Sequence, residues 1–347
     1  MIAAQAAKLT VFQRTPNFSL PAYNEGLTDE KIQNYRENFE EIRQMAREPR
    51  PGVNVNLSDV SVFDVTAEER ESEFERCWRA GGFHLLQAFN DLAVSMDAND
   101  LAASFIRDKI KDVIDDPATA ELLSPKTYPI GTKRTCIDTD YFQTYNRDSV
   151  ELVDISDAPI EAITPEGLRN KNGEWQFDCI VYATGFDAMT GAIVSVDIKG
   201  RGGESLRDRW AAGPRTFLVL SAAGFPNMYM ITGPGSPSVL SNMLVSIEQH
   251  VDWIADLATY MREHELGSIE ANVQAEDDWV GRVNALASKT LYPKANSWYL
   301  GANVPGKPRV FMPYVGGVGA YAEKCREVVT NGYEGFTLSS GDWVAVN

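Results

Sequence analysis

The run Asp178-Cys179-Ile180-Val181-Tyr182-Ala183-Thr184-Gly185-Phe186-Asp187 constrains the fold more than any other part of this chain. Cys179 to Ala183 is short, apolar and partly β-branched, the pattern of a strand covered on both faces at the centre of a parallel sheet. Thr184-Gly185 stops it, and glycine there admits a positive φ or a close ligand. Strand ends of this kind are where open α/β sheets bind nucleotides. Taken alone, the run describes many α/β proteins, and an ordinary core strand followed by a loop accounts for it equally well.

The flanking pattern alternates in character. Lys8 to Gln13 reads as a strand broken by Arg14-Thr15-Pro16. Ile32, Tyr35, Phe39, Ile42 and Met45 then recur every three or four residues, one face of a helix capped by Thr28. Two further helices are expected over 67–80, closed by Gly81-Gly82, and over 98–115. Strands are expected at 151–155, 160–163, 175–183, 217–221 and 228–232. A long helix begins at Pro237 with Ser236 as its N-cap and Gly267 at its end. Helices over 276–291 and 320–331 follow, the last stopped by Gly332.

At 347 residues the chain can hold two or three domains. A net charge of −17 argues against general nucleic-acid binding, which needs a basic surface. Four cysteines far apart, Cys77, Cys136, Cys179 and Cys325, fit unpaired thiols in a reducing cytoplasm. Three histidines show no metal spacing, so no metal is expected. No apolar run reaches bilayer length, so no membrane span is expected either. Gly-x-Ser-x-Gly is absent, which removes a serine-hydrolase reading of Ser236 or Ser238.

Five motifs occur in a fixed order: Leu9-Thr10-Val11-Phe12-Gln13-Arg14-Thr15-Pro16, Gly131-Thr132-Lys133-Arg134, Ala183-Thr184-Gly185-Phe186-Asp187, Gly233-Pro234-Gly235-Ser236-Pro237-Ser238, and Asn296 to Lys307 around Trp298. Together they resemble the flavin-dependent Baeyer–Villiger monooxygenases of the phenylacetone and steroid monooxygenase branch. The resemblance implies an α/β fold. It would be an incomplete flavoprotein of two dinucleotide-binding domains with a helical insertion. Residues 1–24 would end the first part of the NADP-binding domain and 25–130 would form the insertion. Residues 131–186 would return to the NADP-binding domain, and 187–347 would form the C-terminal part of the FAD-binding domain. The family's two Gly-x-Gly-x-x-Gly fingerprints do not occur in the chain. It therefore looks like the C-terminal part of such an enzyme, and the resemblance does not imply that it turns over by itself.

By that resemblance the cofactors are FAD and NADPH, and the substrates are a ketone and O2. One oxygen atom would be inserted through a C4a-peroxyflavin to give an ester or lactone. Arg14, Thr15 and Lys133 would hold the NADPH 2′-phosphate. Arg134 would be the catalytic cation that stabilises the negatively charged flavin adduct. Trp298 would close a mobile loop over the nucleotide. Thr184, Gly185 and Met243 would touch FAD, and Ser238, Val239 and Leu240 would line the ketone pocket. Valine at 239 in place of a smaller residue would alter which ketones fit. The residues leave two other readings open: a flavin enzyme oxidising nitrogen or sulfur, and a non-catalytic binding or interaction protein. A truncated sheet edge would then promote self-association.

Overall fold

A computed structural model describes residues 1–49, 51–53 and 57–340. The chain divides into two compact units, residues 1–25 with 57–185, and residues 26–56 with 186–347. The helical stretch after residue 25 is thus shared between them.

In the first unit, Leu9–Gln13 pairs in parallel with Val150–Asp154, Leu9 opposite Val150 and Gln13 opposite Asp154. Ser19–Pro21 pairs in parallel with Cys136–Asp138. Ala162–Thr164, Gly167–Asn170 and Gly173–Gln176 form an antiparallel meander. The helix Ala67–Ala80 starts with a reciprocal cap: Thr66 Oγ1 accepts from the Glu69 N–H while the Glu69 carboxylate accepts from the Thr66 N–H. It lays Phe74 and Cys77 against the helix Met96–Val113, where Phe105, Ile106 and Ile110 are buried. Phe74 stands 5.4 Å from both Phe89 and Phe105, so this core is aromatic-rich.

The second unit centres on the helix Met243–Glu263, with Val273–Ala287 and Val318–Thr330 also contributing buried residues to its core. Leu266–Ala271 and Phe336–Ser340 pair antiparallel beneath the same core. Trp253, Leu257, Trp279, Tyr321 and Cys325 fill it. One charged group lies inside. Glu276 is fully buried, and its carboxylate accepts from the Ala223 N–H at 2.9 Å, Arg209 Nη2 at 3.0 Å and Arg215 Nε at 3.3 Å. A buried carboxylate is tolerable only with partners of this kind.

Several expectations change. Cys179–Ala183 is not a buried strand. It pairs with no strand among the described residues, Cys179 is exposed, and Val181 is 71% and Tyr182 65% exposed. An apolar pattern favours a central strand only where neighbours complete its backbone hydrogen bonds, and the described residues supply none. Of the expected strand 175–183 only residues 175–176 are strand, as the end of Gly173–Gln176.

The segment 217–221 is also not a strand. It folds back through a Phe217–Ser221 bridge, with buried Leu218 at φ 50° and Val219 at φ 72°. Left-handed backbone at a β-branched residue is strained. Tyr321 Oη, donating to the Leu218 carbonyl at 2.7 Å, helps hold it. Met228 to Thr232 is irregular as well, tied by the Met230 N–H to the Leu220 carbonyl.

The helix expected from Pro237 begins later. Ser238–Leu240 is a single 3-10 turn, and the long helix starts at Met243 with Asn242 as its cap. Ser236 Oγ instead accepts from the Ser238 N–H at 3.0 Å. The helix ends at Glu263, and Gly267 lies in the following strand. The expected 28–45 helix breaks at Asn38 into Asp29–Glu37 and Phe39–Arg47, neither with a buried residue.

Replacing Glu276 with alanine leaves Arg209 and the Ala223 N–H without this partner, while Arg215 keeps its ion pair with Asp277. Glu276→Ala is expected to lower stability by about 3 kcal/mol, read as a lower urea midpoint at an unchanged slope.

Candidate nucleotide and substrate sites

In the first unit two loops converge. Tyr128 Oη donates to the Pro16 carbonyl at 2.9 Å and lies 2.7 Å from Asn17 Oδ1. Asn17 Nδ2 in turn donates to the Arg134 carbonyl at 3.0 Å. The loop that carries Arg14 and Thr15 is thereby fixed to the loop that carries Lys133 and Arg134. Asn99 supports the second loop from below. It is 1% exposed, its Nδ2 donates to the Leu92 and Ile130 carbonyls, and its Oδ1 accepts from the Ile130 N–H. Thr132 Oγ1 donates to the Pro129 carbonyl at 2.5 Å and closes the turn.

The charges at this junction are alike. The Lys133 ammonium lies 4.3 Å from the Tyr128 ring centre, a cation–π contact. Burial holds its pKa below the usual lysine range, and the positive charge of Arg14 adds to the effect. Arg14 and Thr15 are exposed. Among the described residues neither Arg14 nor Lys133 is ion-paired with a carboxylate. Arg134 is exposed, its guanidinium 5.3 Å from the Phe83 ring centre. A half-buried cation beside a second cation suits an anion arriving from solution.

Thr184 and Gly185 lie in the extended segment that has no sheet partner, and both are exposed. Gly185 sits at φ 82°, and a Cβ there would meet nothing within 4 Å. Its backbone is therefore open to approach.

In the second unit, Ser236 and Ser238 are buried in the Gly233–Leu240 turn. Ser238 Oγ has no hydrogen-bond partner among the described residues. Orphaned buried hydroxyls are uncommon and mark a place for a ligand or water. Val239, Leu240 and Trp298 pack against one cluster of Ala287, Tyr299, Phe311 and Val315. Backbone bonds connect the same parts: the Met312 N–H donates to the Tyr299 carbonyl at 2.9 Å, and the Gly235 N–H donates to the Met312 carbonyl at 2.6 Å. The structure thus brings Val239 and Leu240 together with Trp298. Met243 is the first residue of the long helix, and Met243 and Leu244 are exposed apolar side chains at its positive end.

Asn99, Tyr128 and Glu276 are the organising residues that sequence reasoning passed over. Asn99 has a signal, as a polar residue in the first turn of a helix whose other inward positions are apolar. Glu276 has none, because its partners lie 53 to 67 residues away.

No protein-family model matches the chain. Curated proteins and solved structures do. Over 340 residues it is 37% identical to cyclohexanone 1,2-monooxygenase of Acinetobacter sp, which covers 97% of this chain and 62% of that protein. It is 40% identical over 331 residues to a Baeyer–Villiger monooxygenase of Pseudooceanicola batsensis, covering 94% and 60%. It is 38% identical over 338 residues to the phenazine N-monooxygenase PhzNO1 of Lysobacter antibioticus, covering 96% and 62%. The structure of an oxidised steroid monooxygenase bound to NADP matches with a TM-score of 0.92 at 45% identity, over 98% of this chain and 64% of that one. The chain belongs to the type I Baeyer–Villiger monooxygenase family. It spans about three-fifths of the length of these relatives. A structure of OTEMO in complex with FAD and NADP matches with a TM-score of 0.93 at 36% identity, over 97% and 63%. Family membership agrees with the mixed α/β character of the fold. Among the described residues no helix is long and apolar enough to cross a membrane.

His250 ties the long helix to the Gly233–Leu240 turn. It is fully buried, its Nδ1 accepts from the Thr232 N–H at 2.9 Å, and its ring packs edge-on to Tyr321. Burial pushes its pKa down to about 4. The unfolded chain therefore binds a proton that the folded chain refuses between pH 6.5 and about 4. The stability His250 lends as a neutral ring is present above pH 6.5 and lost as pH falls through 4, about 3 kcal/mol in all. Urea unfolding across this range should show the slope, and His250→Gln should flatten it.

Proposed function

We propose that this chain carries the NADPH-phosphate site, one side of the flavin site and the ketone pocket of a monooxygenase that inserts one oxygen atom of O2 into ketones to give esters or lactones. The observation that carries this reading is the junction of Arg14 and Lys133, two cations on loops pinned to each other, with no carboxylate ion-paired with either among the described residues. The 2′-phosphate that distinguishes NADPH from NADH is a dianion of the size such a pair accommodates. Its arrival would reverse the pressure on Lys133 and favour the charged ammonium. Thr15 adds a hydroxyl donor beside Arg14.

FAD, when bound, supplies the redox chemistry and the activation of O2. The second unit fits such a group on two counts. Ser238 Oγ is buried without a partner among the described residues, and Met243 and Leu244 offer an apolar surface at a helix N-terminus, which would favour negative charge on a reduced ring. Met243 would contact FAD from the second unit; in the first, the open backbone of Gly185 and the neighbouring Thr184 are the proposed FAD contacts. Arg134, a planar guanidinium on the same loop as Lys133, would place positive charge where negative charge develops. Val239 and Leu240, backed by Tyr299 and Phe311, would bound the ketone, with Ser238 at the pocket floor. Trp298 would cover the nucleotide and exclude water.

One relative bears on a second reading. Phenazine N-monooxygenase PhzNO1 is as similar as the cyclohexanone enzyme, so nitrogen oxidation by the same parts is a real competitor. Product analysis on a ketone and an aromatic N-heterocycle, offered together to the FAD-loaded chain, separates them. The ketone reading expects ester alone, and N-oxide alone would overturn it.

Two substitutions test the roles. Lys133→Ala is expected to weaken NADP⁺ binding roughly 10- to 100-fold, a loss of about 1.5–3 kcal/mol for a charge-assisted contact, while NAD⁺ binding stays unchanged. Arg134→Ala is expected to cut ester formation by about 10²- to 10³-fold with NADPH oxidation continuing, the reducing equivalents appearing as hydrogen peroxide.

A further inference from the structure

The loop after Trp298 is anchored far away in sequence. The 3-10 turn Trp298–Leu300 ends at Gly301, and the chain closes on itself through the Val304 N–H to the Gly301 carbonyl and the Lys307 N–H to the Val304 carbonyl. Beyond that, polar side chains hold it. Lys307 forms an ion pair with Asp187 and donates to the Ala188 carbonyl at 3.1 Å. Asn303 Nδ2 donates to the Phe186 carbonyl at 2.7 Å. Lys307 is only 13% exposed, so its stem is covered and its charge is not a free surface charge.

Both partners pass over glycines. Gly301 sits at φ 72°, and a Cβ there would stand 3.1 Å from Lys307 Cδ and 3.2 Å from its Cγ. A Cβ on Gly191 would stand 2.6 Å from Asp187 Cβ and 2.7 Å from its Cγ. The ion pair therefore occupies a seat that side chains at 191 and 301 would close. An exposed pair in open water contributes little, whereas a pair with one covered stem, a second carbonyl acceptor and a neighbouring amide acts as a unit.

We propose that Lys307, Asp187 and Asn303 form a latch that fixes the 301–307 loop, and with it Trp298, to the segment 186–188 that follows Gly185. Lys307 and Asp187 are positioning residues. They hold the loop before any ligand arrives, and release of the loop requires the ion pair to part. The latch stands on this chain's own contacts. Its consequence, a slower departure of NADP⁺ from beneath Trp298, rests on the nucleotide reading given above.

Hydrogen exchange on the full chain without nucleotide tests it. Lys307→Met, which keeps the stem and removes the charge, and Asp187→Asn should each speed exchange of the 302–306 amides about tenfold. Exchange in the strand Leu266–Ala271 should not change. Lys307→Arg, which can still bridge a carboxylate and a carbonyl, should restore the protection. Unchanged loop exchange in both charge-removing variants would overturn the latch, as would equal acceleration in the loop and the strand. With NADP⁺ added, Lys307→Met should raise its dissociation rate by about the same factor. If NADP⁺ does not bind the unmodified chain, the nucleotide reading fails while the exchange result still decides the latch.

Discussion

The carboxylate of Glu276 is the contact on which the second unit depends. It is the one acid that the chain takes wholly out of water there among the described residues, and it has three partners. Through the Ala223 N–H it fixes the irregular 217–224 segment, and through Arg209 and Arg215 it fixes the chain leading into it. That segment in turn backs the Gly233–Leu240 turn: the Val219 carbonyl stands 2.8 Å from where a Gly233 Cβ would lie. A strained loop at Leu218 and Val219 persists only when its surroundings over-determine it. Glu276 and Tyr321 supply that constraint. In the first unit Asn99 plays the comparable part, with one buried amide satisfying three backbone groups beneath the Lys133–Arg134 loop. In both units the loops proposed to bind ligands are held by buried polar groups more than by sheet.

This arrangement explains why the candidate sites are made of turns. Tyr128 and Asn17 bring together two loops with like charges, the half-buried Lys133 and the exposed Arg14. Val239 and Leu240 share an apolar cluster with Trp298, so the shape of the proposed ketone pocket and the position of the proposed nucleotide loop are set by the same side chains, Tyr299 and Phe311. A change in either one is felt by the other through close packing. The relatives are longer than this chain by about two-fifths of their length. What is proposed for this chain's own residues is recognition, charge placement and exclusion of water.

The sequence made the regular elements and the family legible. Capping residues and period placed the helices Ala67–Ala80, Met96–Val113 and Val318–Thr330 within two or three residues, because local signals set helix ends. The ordered motifs named a family that the comparisons then showed. What was not legible depended on distant partners. Cys179–Ala183 has a central-strand composition, and composition carries no information about whether neighbours are there to pair. Ser236 has the right chemistry for a helix cap, yet its hydroxyl is taken by Ser238, and Asn242 starts the helix instead. Phe217–Ser221 is apolar and β-branched like a strand, and its reversal is imposed by contacts to Tyr321 and Glu276 that lie far along the chain. The roles of Arg14, Lys133, Arg134 and Trp298 came from resemblance. The structure adds the contacts that bring the first three to one junction.

The central claim is that the Arg14–Lys133 junction recognises a phosphate on the 2′ position of a nucleotide. Calorimetric titration of the chain with adenosine 2′,5′-bisphosphate and with adenosine 5′-monophosphate tests it without flavin or turnover. The account predicts that the bisphosphate binds at least tenfold more tightly and that its binding weakens with salt. Equal affinity for the two nucleotides would contradict it.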